Sequence, residues 1–141
     1  MARSPLAELK IPAQPDFINV AKRVAQSLGS KMGFSLEDLD ELSIAVTQAC
    51  DSAIEAGEQT WGGGASLKLV YSATRRGIEV EVEALGPRSP QALRRQPVPV
   101  QDEEVRRLTH EMIRCFVDDF RTHVDTGTGR VRFRMVKYLI G

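Results

Sequence analysis

Residues 42–54 constrain the fold most, because apolar side chains recur there at helical spacing and two polar side chains lie beside them. The apolar stripe needs a core to face, and it consists of Leu39, Leu42, Val46, Ala49 and Ala53. Gln48 and Ser52 stand four residues apart and therefore share one helical face. The spacing predicts a core-facing helix with a short polar line at its border. That line fits a ligand pocket, and it fits the polar flank of a half-buried helix equally well.

The remaining segments predict one α+β domain with the order β-α-α-β-β-loop-α-β-β. An extended segment ending at Pro12 precedes helices over 16–33 and 36–55, the second one capped by Ser35. Alternating strands over 67–71 and 78–82 flank a turn at 74–77. A third helix begins near Asp102, and a hairpin over 120–138 closes the chain. The apolar stripe of this helix is predicted to consist of Val105, Leu108, Met112 and Phe116. Strands in runs with grouped helices favour a two-layer sandwich, in which helices pack on one face of a mixed or antiparallel sheet.

Composition excludes several classes of function. The 141 residues suit a single domain, and 19 basic residues balance 19 acidic ones, so no global field attracts nucleic acid or an anionic membrane. No apolar run approaches the ~18 residues of a membrane span, and residues 1–8 do not resemble a signal peptide. Cys50 and Cys115 lack metal-site spacing and are predicted to be buried, reduced thiols. These features indicate a cytoplasmic protein.

Several charged side chains have both a functional and a plain interpretation. We expect His110 to be a solvated helix residue and His123 a surface residue, and no third ligand makes them a metal pair. The Pro-rich segment 87–101 suits either a lid or a linker. Its arginines suit a clamp for phosphate or an acidic partner, or a solvated loop: Arg88, Arg94 and Arg95. A cross-strand arrangement would pair arginines with glutamates: Arg132 and Arg134 with Glu79 and Glu81.

Three pieces of the sequence carry a resemblance to a known family. Residues 30–50, with the run Ile44-Ala-Val-Thr-Gln-Ala, resemble a helix pair and the "IAVSEA" opening of an N box. The hairpin over 67–83 resembles the one that leads into an adenine-binding D-x-G box, and residues 127–139 resemble a closing "GT…V.M.KYL" strand. The chain thus resembles the Bergerat-fold (GHKL) ATPase domain, specifically the small anti-sigma-factor serine kinases. The resemblance implies a sandwich of the histidine kinase and HSP90 type, with ATP and Mg²⁺ as cofactors.

The resemblance places unusual residues at the catalytic positions of the N box. The family's general base, a Glu, falls on Gln48, and the Asn that holds magnesium falls on Ser52. An amide cannot accept a proton as a carboxylate can, and a general base contributes ~10²–10⁴-fold to rate. Ser52 keeps an oxygen on a shorter side chain, whereas magnesium requires near-octahedral oxygen ligands. Asp51 points to a different side of the helix and is a poor substitute for either residue.

The nucleotide-binding boxes depart from the family pattern as well. Aligned on Gly86, the adenine-binding Asp falls on Ala84, which cannot hydrogen bond to the base. A one-residue shift would place Glu83 there instead, although Glu83 alternates to the other sheet face. The G-x-G that would cradle phosphate is replaced by residues 107–112, which contain no glycine and include Glu111. Thr128 matches the family's late Thr, so the remaining cofactor-binding candidates are Ser52, Gly86 and Thr128.

These departures lead to two hypotheses from different classes. In the preferred one, the chain regulates bacterial transcription by partner switching. It would bind a sigma factor, an anti-anti-sigma protein or both, and a homodimer is possible. Its degenerate ATP site would bind ATP and Mg²⁺ weakly or not at all. Surface residues of the helix over 16–33, and Phe34, are the contact candidates. In the alternative, it is an ATP- and Mg-dependent serine/threonine protein kinase with atypical boxes. A regulatory role beside a phosphatase or sensor, unrelated to sigma factors, is a third interpretation.

Overall fold

The structure, a computed structural model, describes residues 3–87, 103–125 and 130–139. Within these ranges, five strands and three α-helices follow one another in the predicted order, with a short 3-10 turn at Pro15–Phe17. The strands are β1 (Ser4–Pro12), β2 (Ser66–Ala73), β3 (Gly77–Leu85), β4 (Asp119–Val124) and β5 (Val131–Tyr138). The helices are α1 (Ile18–Met32), α2 (Leu36–Trp61) and α3 (Glu103–Phe116). Within the described ranges, no helix combines the length and the hydropathy required to cross a bilayer.

The sheet has the strand order β1-β2-β3-β5-β4, and each of the four pairings is antiparallel. The prediction of a mixed or antiparallel sheet therefore resolves to the antiparallel form. Strands β2 and β3, and strands β4 and β5, are consecutive antiparallel neighbours, and β5 also pairs with β3. This arrangement leaves β1 and β4 as the two edge strands.

The core lies between one face of the sheet and the helices. Leu69 of β2, Val82 of β3 and Phe133 of β5 lie opposite one another across the sheet, and all are almost fully buried. Strand alternation sends these residues to the helical side, as the period-2 pattern predicts. The hydroxyl of Tyr71 donates a 2.8 Å hydrogen bond to the carbonyl oxygen of Ala21, which fixes α1 over the sheet. The predicted α+β sandwich is confirmed.

The predicted end of α1 and the predicted start of α2 are confirmed, whereas the predicted end of α2 is not. Gly33 ends α1 with a φ of 97°, a left-handed conformation that glycine adopts easily. The Ser35 hydroxyl accepts a 3.1 Å hydrogen bond from the backbone N–H of Asp38 at the start of α2. The prediction that α2 ends near Glu55 is wrong, because the helix continues through Gly57 to Trp61. Packing of the last turns against the sheet compensates for the low helix propensity of glycine.

The other face of the sheet carries charged residues in cross-strand rows. The Arg134 Nε donates a 2.6 Å hydrogen bond to Oε1 of Glu79, and an Arg3 Nη1 atom lies 2.6 Å from the other oxygen of Glu79. Glu79 is only 2% exposed, so two guanidinium groups compensate for the burial of its carboxylate. The predicted pairing of Arg134 with Glu79 is confirmed. No ion pair of Arg132 is present within the described residues, although Arg132 lies directly opposite Glu83.

Candidate functional site

Helix α2 places Gln48 and Ser52 at the border between core and surface. Ala45, Val46 and Ala49 are fully buried against the sheet, whereas Gln48 and Ser52 are half-buried. Neither polar side chain has a hydrogen-bond partner among the described residues. The polar line that the spacing predicts is therefore present, and its groups are open to solvent or a ligand. Its chemistry is limited to an amide and a hydroxyl.

The outer face of α2 next to this line is strongly acidic. The helix has no basic residue, and its carboxylates are Glu37, Asp38, Asp40, Glu41, Asp51, Glu55 and Glu58. Asp51, Glu55 and Glu58 are exposed at spacings of four and three residues, and none of them has an ion pair within the described part of the chain. The neighbouring protein surface removes part of the hydration of the Asp51 carboxylate, and this desolvation raises its pKa. This face disfavours a highly charged anion beside Ser52.

The position that the resemblance assigns to adenine recognition is filled by packing. Ala84 lies on the helix-facing side of β3 and is 1% exposed. A Cβ built on Gly57 of α2 would lie 3.6 Å from the Cβ of Ala84 and 3.2 Å from that of Ala65. The lack of a side chain at Gly57 therefore allows α2 to pack closely on Ala65, and Ala84 lies within ordinary van der Waals distance of the same turn of α2. An aspartate at position 84 would meet the helix backbone.

The aromatic ring of Trp61 covers the neighbouring glycine. A Cβ built on Gly86 would lie 2.7 Å from both Cε2 and Nε1 of the Trp61 indole. The indole thus contacts the backbone of Gly86 at the end of β3, and Trp61 itself is half-buried. The sequence provides no periodic signal for this contact, because it depends on α2 continuing past Glu55. Gly86 is used here to admit an indole of the same chain.

Glu83 does not provide the missing carboxylate. Its side chain lies on the sheet face away from the helices and accepts a hydrogen bond from Nη2 of Arg130. Ala84 and Glu83 therefore point to opposite faces, as strand alternation requires. A one-residue shift of the alignment would therefore assign adenine recognition to a carboxylate that is already paired with Arg130 and lies on the sheet face away from the helices.

Helix α3 presents a different face to the core from the one predicted. Leu108 and Met112, predicted to be apolar core positions, are 58% and 48% exposed, whereas Ile113 is fully buried. The predicted solvated position of His110 is also wrong. Its ring lies 5.3 Å from that of Phe120 and 6.1 Å from that of Phe133, both in edge-to-face geometry. Glu111 is exposed on this helix, and the Val105 side chain lies outside the description.

Some predicted residues have no structural test. Thr128 lies outside the described residues, as do the arginines predicted for a phosphate or partner clamp, Arg88, Arg94 and Arg95. Among the site candidates, the structure therefore describes Gln48, Ser52 and Gly86. Of the two cysteines, Cys50 is buried as predicted and Cys115 is exposed, contrary to the prediction, because it lies on the solvent side of α3. His123 is exposed, as predicted.

A buried lysine that the sequence reasoning did not single out joins three elements. Lys137 of β5 donates a 2.8 Å hydrogen bond to Oε2 of Glu41 and a 2.9 Å hydrogen bond to the carbonyl oxygen of Phe116. Its side chain is 6% exposed, and Asp38 provides a second carboxylate at 3.8 Å. A lysine at an inward position of an apolar, alternating strand was the available signal. The contact fixes α2 and the end of α3 to the sheet.

Comparison with known proteins agrees with the resemblance. No family model matches the chain. It is 26% identical over 144 residues to a serine-protein kinase RsbW of Bacillus licheniformis, an alignment that covers 94% of this chain and 84% of the relative. A shorter match to the RsbW of Bacillus velezensis has 35% identity over 48 residues, which is 34% of this chain and 30% of that relative. Over this shorter match, the chain spans less than a third of the relative's length.

A solved structure has the same fold. The RsbU and RsbW domains of a Mycobacterium tuberculosis protein superpose with a TM-score of 0.63 and 12% identity, covering 96% of this chain and 35% of the other. At that identity the likeness concerns the fold. Together with the nearly full-length sequence match, it bears out the resemblance: the chain is similar in sequence to the serine-protein kinases RsbW and shares the fold of an RsbW domain.

Proposed function

We propose that this chain regulates transcription as an anti-sigma-type binding protein whose nucleotide site no longer supports phosphoryl transfer. The relatives' name, serine-protein kinase RsbW, indicates the class of regulation. The observation that carries the proposal is the packing at the adenine position, where Ala84 lies under Gly57 and the Trp61 indole covers Gly86. These residues do not fit a nucleotide that needs a carboxylate and an open edge there.

The polar line of α2 supports the same conclusion for the phosphates and the metal. A Mg²⁺–triphosphate needs hard oxygen ligands for the ion and cationic or N–H donors for the phosphates. Ser52 offers one short hydroxyl, and the carboxylates at Asp51 and Glu55 add negative charge beside it. Gln48 has no lone pair basic enough to activate a substrate hydroxyl. We therefore derive no catalytic step from these residues.

Without a catalytic step, the chain would act through contact with its partners. The class of partners that the resemblance implies is a sigma factor, an anti-anti-sigma protein, or both. Phe34 is not a contact residue in this fold, because it is 6% exposed and packs in the core. The exposed side of α1, where Val20 is 42% exposed, stays a candidate surface. A homodimer stays a prediction.

Nucleotide binding can be measured with the protein's own fluorescence. Trp61 is the single tryptophan and lies at Gly86, so a nucleotide that entered this end of the cleft would displace or quench the indole. We expect no saturable change in emission, and no rise in melting temperature, up to millimolar Mg-ATP. A ligand at 100 times its Kd would add ~2.7 kcal/mol of stability, which is a shift of several degrees. A saturable response would contradict the proposal.

Partner binding distinguishes the two hypotheses directly. Sigma factors and anti-anti-sigma proteins of the source bacterium, purified individually, would be titrated into the chain with and without Mg-ATP. We expect one of them to bind with the same Kd in both conditions, and no phosphate to be transferred to a partner serine. Phosphate transfer, or binding that requires ATP, would support the kinase alternative instead. Failure of every such partner to bind would overturn the assignment to this class of regulation.

A further inference from the structure

Strand β4 is an edge strand that extends beyond the helical layer. Among the described strands it pairs with β5 alone, so one of its edges carries no neighbouring strand. Phe120 is 5% exposed under α3, yet all four residues after it are exposed, on both faces of the sheet. Val124 is 48% exposed although it is apolar and lies on the side of the sheet that the helices cover elsewhere. An open edge of this kind is a template for an added strand.

The hydrogen bonds between β4 and β5 determine which backbone groups of β4 point toward the open edge. The N–H of Asp125 donates a 2.9 Å hydrogen bond to the carbonyl oxygen of Arg130, the next pair after Val124 and Val131. Antiparallel pairs alternate, so His123 and Arg121 also turn their backbone groups toward β5. Thr122 and Val124 consequently direct their N–H and C=O groups outward, toward the open edge.

The side chains of this edge concentrate positive charge on one face. Arg121 lies directly opposite Arg134, and His123 lies directly opposite Arg132. Two arginines placed directly across strands, as Arg121 and Arg134 are, destabilise a sheet unless an anion compensates. Arg132 and His123 have no ion pair with any described residue. Arg121 is 72% exposed, and the nearest carboxylate oxygen, from Asp119 of its own strand, is 3.6 Å away.

Another strand of the same sheet places carboxylates opposite the arginines of β5. Strand β3 alternates Glu79, Glu81 and Glu83 with valines, and it pairs with β5 on the side away from β4. Glu81 lies directly opposite Arg134, and Glu83 lies directly opposite Arg132. A strand in which acidic residues alternate with apolar ones therefore complements the arginines of β5 on the side that faces β3. The outer side, at β4, has no such neighbour within the described strands.

We propose that β4 binds an extended segment of a partner protein in which acidic residues alternate with apolar ones, added as a sixth strand of the sheet. Carboxylates of the segment would contact Arg121 and His123 on the charged face. Its apolar residues would cover Val124 on the other face, and its backbone would pair with Thr122 and Val124. This inference assigns a surface to the partner contact of the proposed function. Peptide binding at β4 and nucleotide binding at α2 are separate measurements, so either can fail alone.

A capped, fluorescently labelled peptide of alternating glutamate and valine, seven residues long, is the probe. Its anisotropy would be followed on titration with the full chain. We expect saturable binding that weakens as salt rises, and loss of about tenfold or more in affinity for the double variant Arg121→Glu/His123→Glu. The matched control is Lys10→Glu on the other edge strand, β1, which should change affinity by less than about threefold. Equal loss in both variants would overturn the proposal.

Two further peptides test the backbone contact without altering the protein. In one, alternate amides of the probe carry N-methyl groups; in the other, the remaining amides carry them. An added strand turns one set toward β4 and the other away, so we expect one of these peptides to lose binding and the other to retain it. A probe with glutamine in place of glutamate should bind about tenfold or more weakly. No binding of the glutamate probe at millimolar protein, or equal binding of both methylated peptides, would overturn the proposal.

Discussion

At the residue scale, the small side chains at the position expected to bind adenine determine how α2 packs there. Ala84 lies within van der Waals distance of the Gly57 turn of α2, and Gly86 has no side chain, so Trp61 can lie over it. The change from a carboxylate to a methyl group at position 84 is readable in the sequence. Its consequence, that α2 packs against Ala84, depends on distances between α2 and β3 that only the folded chain defines. Restoring a single polar group therefore should not restore a site.

The variant Ala84→Asp tests this statement. We expect it to lower the free energy of unfolding by about 2 kcal/mol or more, because a carboxylate would be buried without a cation and against α2. It should gain no Mg-ATP binding. Urea denaturation measures the first effect, and Trp61 fluorescence measures the second. The control Glu83→Asp keeps a carboxylate on the solvent face and should stay within about 0.5 kcal/mol. Equal stability of both variants would contradict the packing argument.

A second residue-scale prediction concerns Cys50. Burial raises the pKa of its thiol from 9.0 to about 12. The unfolded chain loses this proton first, so the stability contribution is complete below pH 9 and is lost as pH rises toward 12. Between pH 9 and 10 this group should lower the free energy of unfolding by up to about 1.4 kcal/mol per pH unit. Urea titrations across that range should show a shallower slope for Cys50→Ala.

The accompanying thiol measurement has an internal control. Exposed Cys115 should react rapidly with a thiol reagent in the native protein, whereas Cys50 should react after denaturation. Two results together would show that Cys50 is accessible: the same slope of unfolding free energy against pH in Cys50→Ala as in the unmodified protein, and rapid reaction of both thiols in the native unmodified protein. Burial also raises the pKa of Tyr71, whose ordinary value is 10.0, so the comparison is cleanest below pH 10.

At the scale of the elements, α3 shows where periodicity is insufficient. Leu108 and Met112 match a helical stripe as well as His110 and Ile113 do, and the sequence contains both. The chosen face is the one whose His110 ring fits edge-on against Phe120 and Phe133. Those phenylalanines belong to the closing hairpin, so this choice required the sheet to be in place. In α2 the predicted apolar stripe is the buried face, although the helix continues beyond its predicted end.

Lys137 gives the prediction at this scale. Lys137→Met keeps the length of the side chain but removes the ammonium group from Glu41 and from the Phe116 carbonyl. We expect a loss of about 1–3 kcal/mol in the free energy of unfolding, since an acceptor is left unpaired and Glu41 remains hydrated in part. Lys68→Met is the matched control, because Lys68 is 41% exposed and its partner Glu8 is 3.5 Å away. Urea midpoints that shift equally would refute a special role for Lys137.

At the scale of the whole molecule, the sheet is unevenly protected. Among the strands that the structure describes, β2, β3 and β5 have neighbours on both sides, whereas β1 and β4 have one each. Helices cover the central strands, but the end of β4 is exposed on both faces. Local opening should therefore cost least at β4, which is also the edge proposed for partner binding.

Hydrogen exchange followed by NMR tests this gradient. We expect the amides of Thr122 and Val124 to exchange fastest among the strand amides, because they point toward the open edge. Amides of Leu69 and Val82, in the central pair, should exchange orders of magnitude more slowly. Addition of the alternating glutamate and valine peptide should slow Thr122 and Val124 selectively. Slow exchange at both positions in the free protein would mean that another element already covers this edge.

The sequence by itself determined the order of the elements, the two periodicities, the caps at Gly33 and Ser35, and the unusual residues at positions 48, 52 and 84. These features depend on the local chain and on side-chain chemistry, which do not need a partner element. Only the tertiary structure decided that α2 extends to Trp61, that the indole covers Gly86, that Lys137 joins three elements, and that β4 is an open edge. Each of these depends on distances between segments far apart in the chain, and packing rather than local preference sets those distances.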